Sequence, residues 1–411
     1  MQKLLVIGCV WLEKTTGAGN RMLQLIDVFK QYNYTVTFVT TAQKTENSLN
    51  LIELEIQERL IELNSASFDS FVKELQPNIV LFDRFITEEQ FGWRVAENCP
   101  NSLRILDTED LHFLRKIRHQ QLKKQESLSN KVLLKSNEAK REIAAILRCD
   151  MSLIISTYEM QLLNSVFKID SALLYQMPFL LDKINKKVIE SWKPFEERQH
   201  FVFVGNFLHK PNVDAVLQLK LIWKQIKKQL PKVKLYVYGA YATQSIKQLH
   251  NSKEGFIIKG FVNDALEVVE NARVVLAPIR FGAGIKGKLT EAMVCGTPSV
   301  VTSIGAEGMC ENLPWNGFVE DDFTVFANKA VELYSYKTIW KEAQQKGVQL
   351  VNQLYDREKL IPAFMSRVDE IQKSIEKHRI QNFLGGLLQY QTLQATKYMS
   401  KWIEAKNSVS K

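Results

Sequence analysis

The feature that most constrains this chain is a rhythm. Short apolar, β-branched runs recur along it, and each is followed by a polar or helix-patterned stretch. The first series is Lys3–Val10, Thr35–Thr40, Asn78–Phe82, Leu103–Asp107 and Met151–Ser156. The second is Phe201–Gly205, Lys234–Tyr238, Gly255–Lys259, Arg273–Ala277 and Ser299–Val301. Strands separated by helix-length segments form βαβ units, and βαβ units build parallel sheets covered by helices on both faces. Between the two series lies Met177–His200, a charged, aperiodic stretch with Pro178 and Pro194 that reads as a linker. A chain of 411 residues also exceeds what one core supports. The expected fold class is therefore α/β, with two Rossmann-like, doubly wound parallel-sheet domains. The first spans residues 1–178 and the second 179–384. The tail after about residue 355 is helical, and a last helix at about 385–411 is expected to pack back on the first domain. Open parallel sheets bind ligands outside the carboxyl ends of their strands, so two of them face a central cleft and chemistry belongs just after strands.

Composition narrows the class. Apolar content of 45% and charge of 24% are those of an ordinary globular protein, and no apolar run of membrane-spanning length occurs. The opening MQKLLVIGCV turns directly into strand, leaving no signal-peptide pattern. Five cysteines without a CxxC pair fit buried thiols in a reducing compartment, so a cytoplasmic location is expected. The net charge of +9 favours anionic partners. Two basic stretches, Arg115–Lys124 and Lys397–Lys406, fit either a solvated face or peripheral contact with an anionic membrane at its inner face. No nucleic-acid motif accompanies them.

The chemistry centres on PIRFGAGIKGKLTEAMVCGTPSVV, Pro278–Val301. Gly282, Gly284 and Gly287 spell GxGxxG, yet the next strand ends in Thr302 and Ser303 rather than the acid that holds a dinucleotide ribose. Gly282–Lys288 spell GxxxxGK, yet Leu289 stands where a P-loop needs a magnesium-binding hydroxyl. The physics that both motifs share still applies: glycines admit a close ligand, and the N–H groups opening a helix attract phosphate. Lys286 and Lys288 add positive charge, and Glu291 one turn later suits a hydroxyl-bearing partner such as a sugar or ribose. A tight turn with solvated lysines has the same pattern.

The run Pro278–Gly308 resembles the nucleotide-sugar motif of retaining glycosyltransferases with the two-domain GT-B fold, the family 4 type. In that family an EX7E motif holds the donor. Glu291 matches the second Glu, while the first falls on Ala283; the form GAGIKGKLTEA is similar to a branch in which a Gly-x-Gly turn and a lysine replace it. The resemblance implies that the turn at Gly282, Ala283, Gly284, Ile285 and Lys286 reaches the diphosphate through its backbone N–H groups. FVFVGNFLHKPNVDA resembles the segment opening the donor domain, with Gly205, Asn206 at a family Arg position and Lys210 near a family Lys position. KGFVND resembles the loop bordering the nucleobase, which implicates Phe261 and Val262.

In the first domain GAGNR follows the opening strand, and the resemblance turns Gly17, Gly19, Asn20 and Arg21 to the cleft on the acceptor side. Asp83 and Arg84 end another strand, where ion-paired turn residues would look the same. RILDTEDLHFLR breaks into Asp107, Asp110 and His112, and the resemblance implies that His112 hydrogen-bonds the transferred sugar while the aspartates orient the loop. Ser156 and Glu159 follow the last strand of this half, where a helix cap explains them equally well.

The expected activity is a metal-independent, retaining hexosyltransferase using a nucleotide-diphosphate sugar, with His112, Lys288 and Glu291 as the catalytic set. Neither a DxD nor another metal-ligand motif occurs, so no metal and no cofactor is expected. The partners expected are the nucleotide sugar and a glycan, lipid-linked or protein acceptor. A sugar-nucleotide epimerase or phosphorylase of the same fold, and a degenerate binding protein without catalysis, are the alternatives.

Overall fold

The computed structural model describes residues 2–409, so Ser410 and Lys411 of the expected last helix lie outside the described residues. The chain builds two parallel sheets. The first contains Gln2–Gly8 (β1), Tyr34–Thr40 (β2), Gln57–Leu60 (β3), Ile79–Asp83 (β4), Leu103–Asp107 (β5), Met151–Ile154 (β6) and Leu174–Gln176 (β7), in the order β3-β2-β1-β4-β5-β6-β7. The second contains Gln199–Val204 (β8), Leu235–Tyr238 (β9), Phe256–Gly260 (β10), Ala272–Ala277 (β11), Ser299–Val301 (β12) and Gly317–Val319 (β13), in the order β10-β9-β8-β11-β12-β13. With the carboxyl ends of the two sheets facing each other, this is the GT-B architecture expected from the sequence.

The alternation of side chains explains why the central strands read as unbroken apolar runs. Leu5, Ile7, Val80 and Phe82 point into one core of the first domain, and Leu4, Val6, Ile79 and Leu81 into another on the opposite face. Both faces are covered by helices, so neither parity of residue can be polar. Three strands were not foreseen: β3, β7 and β13 are all sheet edges. β3 reads QERL and leaves its side chains largely in water, so it lacks the apolar run that marks a central strand.

The linker is more ordered than its composition suggests. It carries a short helix, Lys186–Ser191, and buries Phe179, Leu180 and Ile184. The chain crosses back to the first domain at Asp356, where Leu181 N–H donates to Tyr355 O (2.8 Å) and Arg357 N–H donates to Leu181 O (2.9 Å). The two crossings thus lie side by side. The helix Arg357–Lys373 then places Ile361, Phe364, Met365, Val368 and Ile371 in the core of the first domain, at the i, i+3, i+4, i+7 spacing of an apolar helix face. The return therefore begins near residue 357, ahead of the expected helix at about 385. That last helix, Phe383–Val409, packs on the helices Arg84–Asn98 and Asn137–Arg148.

Each sheet reverses its strand order once, between β1 and β4 in the first domain and between β8 and β11 in the second. A crevice opens at such switch points because the loops leave in opposite directions. The loops after β1 and β4 carry Cys9–Thr16 and Arg84; those after β8 and β11 carry Gly205, Asn206 and the stretch from Pro278 to Lys288.

Candidate active site

The second domain brings together one part of the expected donor set. After β8 the chain turns at Gly205 and Asn206. After β11 it runs through the glycine turn into the helix Gly287–Val294, whose N-cap residue Lys286 makes no side-chain cap bond. Lys288 lies over the backbone of Gly205: a Cβ there would meet Lys288 Nζ and Asn212 Cγ at 2.8 Å, so a side chain at this position would displace them. Lys288 Nζ donates to Asn212 Oδ1 (2.6 Å) and rests 4.2 Å from the centre of the Phe203 ring. Lys286 Nζ donates to Gly284 O (2.8 Å).

Among the described residues neither lysine lies within ion-pairing distance of a carboxylate. Both side chains are recessed, and loss of hydration pushes their ammonium groups down. Lys288 falls to about 7, with Glu291 pulling the other way, and Lys286 falls to about 8, with Glu307 opposing. Beside them Asn206 Nδ2 is buried without a hydrogen-bond partner in the protein. Glu291 is raised by burial and lowered by Lys288. Desolvated cations and an unsatisfied amide are costly unless an anion completes them. Together with a helix N-terminus they make a cradle with the chemistry to hold an anion such as phosphate.

Other expected donor residues lie at the margin. Lys210 is exposed at the start of the helix Lys210–Gln229. Phe261 is 54% exposed and Val262 partly buried, in the loop leaving β10. The glycine turn itself differs from the expectation. The N–H of Gly284, expected to face diphosphate, donates to Glu159 Oε1 of the first domain (2.8 Å). Gly284 has φ of +62°, and a Cβ on it would stand 2.9 Å from the Asp110 Cβ. Ala283 packs into the core of the first domain and Ile285 into that of the second. Gly282 O accepts from Arg118 Nη1 (2.8 Å). The turn is thus gripped by the first domain.

The grip is made by residues the sequence did not single out for it. Arg118 pairs with Glu307 across the cleft at 2.6 and 2.8 Å. Glu159, fully buried, accepts from both Leu111 N–H (2.9 Å) and Gly284 N–H, and so links three segments. Burial, with Asp110 adding to it, raises its carboxyl to about 7 against those two hydrogen bonds. Ser156 opens the helix Thr157–Ser165 without a side-chain cap bond. On the far side of the cleft Tyr241 Oη lies 3.3 Å from Glu13 Oε2 and accepts from Asn47 Nδ2 (2.7 Å).

The expected acceptor-side residues divide in two. Arg21 is not on the cleft surface: it is 1% exposed, pairs with Asp107 at 2.8 Å and donates to Met177 O (2.6 Å). It braces β5 against the start of the linker. Asp83 is buried as well, accepting from Cys9 N–H (2.9 Å) and lying 3.3 Å from Arg84 Nε. These charges are consumed inside the fold. Gly17 is open at the start of the helix Gly17–Gln31, while Gly19 and Asn20 bond back to Thr16, Gly19 N–H donating to Thr16 Oγ1 (3.0 Å).

The remaining group stays at the cleft. Asp110 is held by Arg115 in a two-pronged contact (2.7 and 3.2 Å); burial raises its carboxyl, and Arg115 and His112 outweigh that and hold it below the usual range. His112 Nε2 lies 3.4 Å from Asp110 Oδ1, with its ring edge-on to Phe85. Burial lowers His112 to about 4 despite Asp110, so the imidazole is neutral at pH 7. The N–H groups of His112 and Phe113, which open their helix, are capped by the buried Glu142 carboxylate (3.1 and 3.0 Å). From the second domain His209 enters the same charge environment, with Arg115 lowering it and Asp110 raising it after desolvation. His209 was missed because a lone histidine at a helix start carries no sequence signal. Among the described residues no group of three or more His, Cys, Asp or Glu side chains is gathered to hold a metal ion.

Comparison with known proteins gives a family match over part of the chain and a likeness of fold. Residues 198–336 match the model of the family described as "Glycosyl transferases group 1". No curated protein sequence matches the chain. Among solved structures, a sucrose-phosphate synthase from Thermosynechococcus elongatus is similar, with TM-score 0.68 and 15% identity over 91% of this chain and 100% of that one. TarM from S. aureus, in complex with fondaparinux, alpha-GlcNAc-glycerol and UDP, gives TM-score 0.68 and 11% identity over 89% and 99%. HepE from Anabaena, in complex with UDP and glucose, gives 0.65 and 15% over 90% and 100%. At these identities the likeness is one of fold, and the family match lies within the second domain, which holds Asn206, Lys286 and Lys288.

Proposed function

We propose that the protein is a glycosyltransferase of the group 1 type that moves a hexosyl group from a nucleoside-diphosphate sugar to a glycan, lipid-linked or protein acceptor, with retention and without a metal. One observation carries the reading: Lys286 and Lys288 are recessed, desolvated and not ion-paired, beside the unpartnered Asn206 amide at a helix N-terminus. Dianionic diphosphate satisfies all of these groups at once. The family match over residues 198–336, and the UDP bound to TarM and HepE, support the choice of ligand.

In this reading the leaving diphosphate gathers charge as the glycosidic bond breaks. Lys288, Lys286 and the N–H groups opening the helix Gly287–Val294 stabilise it. Glu291 accepts from a sugar or ribose hydroxyl. His112, neutral and oriented by Asp110, supplies an uncharged hydrogen bond to the transferred sugar. The acceptor hydroxyl attacks from the face the leaving group departs, so no protein nucleophile is required. Phe261 offers an exposed ring beside the nucleobase. The five free cysteines, three of them buried, support a reducing, cytoplasmic setting. Gly284 N–H donates to Glu159, so it reaches the diphosphate only where that bond opens.

The test is a panel of sugar nucleotides, scored first by the rise in melting temperature and then by nucleotide release with and without acceptors. A sugar nucleotide that stabilises the protein, and turns over only when an acceptor is present, is the expected result. Stabilisation without release under any acceptor would favour the binding-protein alternative, which the Ala283 position motivates. Binding unaffected by Lys288→Met would sink the cradle.

A further inference from the structure

The last helix, Phe383–Val409, shows two unlike sides. One is fastened to the first domain. Gly385 lies so near Leu147 that a Cβ would stand 2.1 Å from its carbonyl oxygen. Gln389 Nε2 donates to Arg148 O (2.7 Å), Ser400 Oγ to Asn64 Oδ1 (3.1 Å), and Glu404 Oε1 accepts from Arg94 Nη2 (2.5 Å). These positions recur at helical spacing and trace one stripe.

The opposite side carries Phe383 (73% exposed), Leu387, Tyr390, Tyr398, Met399 and Trp402 (63% exposed). Large apolar side chains scattered singly need no explanation, but a row along one helix marks an interaction surface. Two of its members are tyrosines and one is a tryptophan, rings with an apolar body and a polar tip that favour a boundary between water and hydrocarbon. The surrounding charge is predominantly positive. From Lys373 to Lys406 the sequence holds six Lys and Arg against two Glu. Lys373, Lys377, Lys401 and Lys406 are exposed, and Lys406 Nζ lies 5.3 Å from the Trp402 ring. The helix Asn137–Arg148, against which the last helix packs, adds exposed Lys140, and the helix before it adds Lys131, Leu134 and Lys135. Lys397 is paired with Glu97 and Arg379 with Asp150, which leaves Lys373, Lys377, Lys401 and Lys406 as the exposed basic excess. A surface with that excess disfavours a second copy of itself and complements an anionic one. No helix among the described residues is long and apolar enough to cross a membrane, so this one would lie in the plane of an interface. Its periodicity is faint in the sequence because half-buried apolar residues, Leu388 and Ile403 among them, also lie along the helix.

We propose that the helix Phe383–Val409 docks the protein on an anionic lipid bilayer, its aromatic row set among the headgroups and its flanking lysines on the lipid phosphates. The proposal stands apart from the catalytic reading, since none of these residues belongs to the cleft.

The test is co-sedimentation of the full chain with phosphatidylcholine vesicles, with and without phosphatidylglycerol at about one part in three. Each basic residue near such a surface strengthens binding roughly fivefold, so partition onto the anionic vesicles should exceed that onto neutral ones by at least about tenfold and fall at high salt. The double variants Tyr398→Glu/Trp402→Glu and Lys377→Glu/Lys401→Glu should each lower it about tenfold or more. Their melting temperatures should not change, because both alter only the exposed side. Absence of partition onto anionic vesicles overturns the proposal, as does partition that both variants leave intact. A dimer in light scattering that becomes a monomer in Tyr398→Glu/Trp402→Glu also overturns it, since a second copy would then occupy the face.

Discussion

The two domains share a fold and treat charge in opposite ways. In the first, the charges at the strand ends are satisfied by one another: Arg21 with Asp107, Arg84 with Asp83, Asp110 with Arg115. In the second, Lys286 and Lys288 stand at the equivalent carboxyl ends with a carbonyl, an amide and an aromatic ring as partners and no carboxylate. A buried charge whose partner is inside the protein holds the fold together. A recessed charge whose partner is missing waits for a ligand. The difference separates bracing residues from binding residues more cleanly than position after a strand does, since both kinds occupy that position.

Truncation should break the comparison where it is strongest. Arg21→Ala leaves the Asp107 carboxylate buried without its cation, and unfolding measurements should show a loss of about 3–5 kcal/mol or no folded protein at all. Lys288→Met should behave oppositely. Removing a desolvated cation leaves the melting temperature unchanged or higher, while donor turnover falls by roughly a hundredfold or more, the scale of one lost transition-state contact. A Lys288→Met protein that melts far lower would make Lys288 a bracing residue after all.

Proton linkage sharpens the contrast. Lys288 sits near 7 before an anion arrives, and pairing with one raises it. Nucleotide affinity is therefore full below about pH 7 and falls by up to about tenfold per unit as pH rises above that, until the pKa of the complex is passed. Calorimetric titrations from pH 6 to pH 9 check the sign, and Lys288→Met should flatten the curve.

Glu159 gives a stability effect in the same direction for a different reason. Its folded carboxyl is raised to about 7, so the folded state binds a proton that the unfolded chain has released. That stability is complete below the ordinary glutamate range and is lost as pH rises through about 7, at roughly 1 kcal/mol per pH unit. Glu159→Gln should remove this slope in thermal melts between pH 5 and pH 8.

The smallest effect concerns His112. Its imidazole is neutral down to about pH 4, so it should contribute no inflection near pH 6.5 to the rate profile. His112→Ala should lower turnover about ten- to a hundredfold while leaving donor affinity intact, the signature of one lost hydrogen bond to the reacting sugar.

Much of this was legible in the linear chain. Ten of the strands announced themselves as short apolar runs, most because a strand buried on both faces must be apolar at every position, and the glycine turn with its lysines carried the pattern of a phosphate site. Both are local properties, set by burial and by backbone freedom within a few residues. Three of the four edge strands, β3, β7 and β13, escaped because an edge is defined by the neighbour it lacks. Arg21 and Asp83 read as cleft residues, and their burial depends on Asp107, Met177 and Cys9, which are distant in sequence. The grip of Glu159 and Arg118 on the turn, and the stripe of aromatics left outside on the last helix, came likewise from which surfaces the fold brings together. The sequence determined what each segment is able to do. The tertiary structure decided which charges find partners, because a partner is a matter of distance in space.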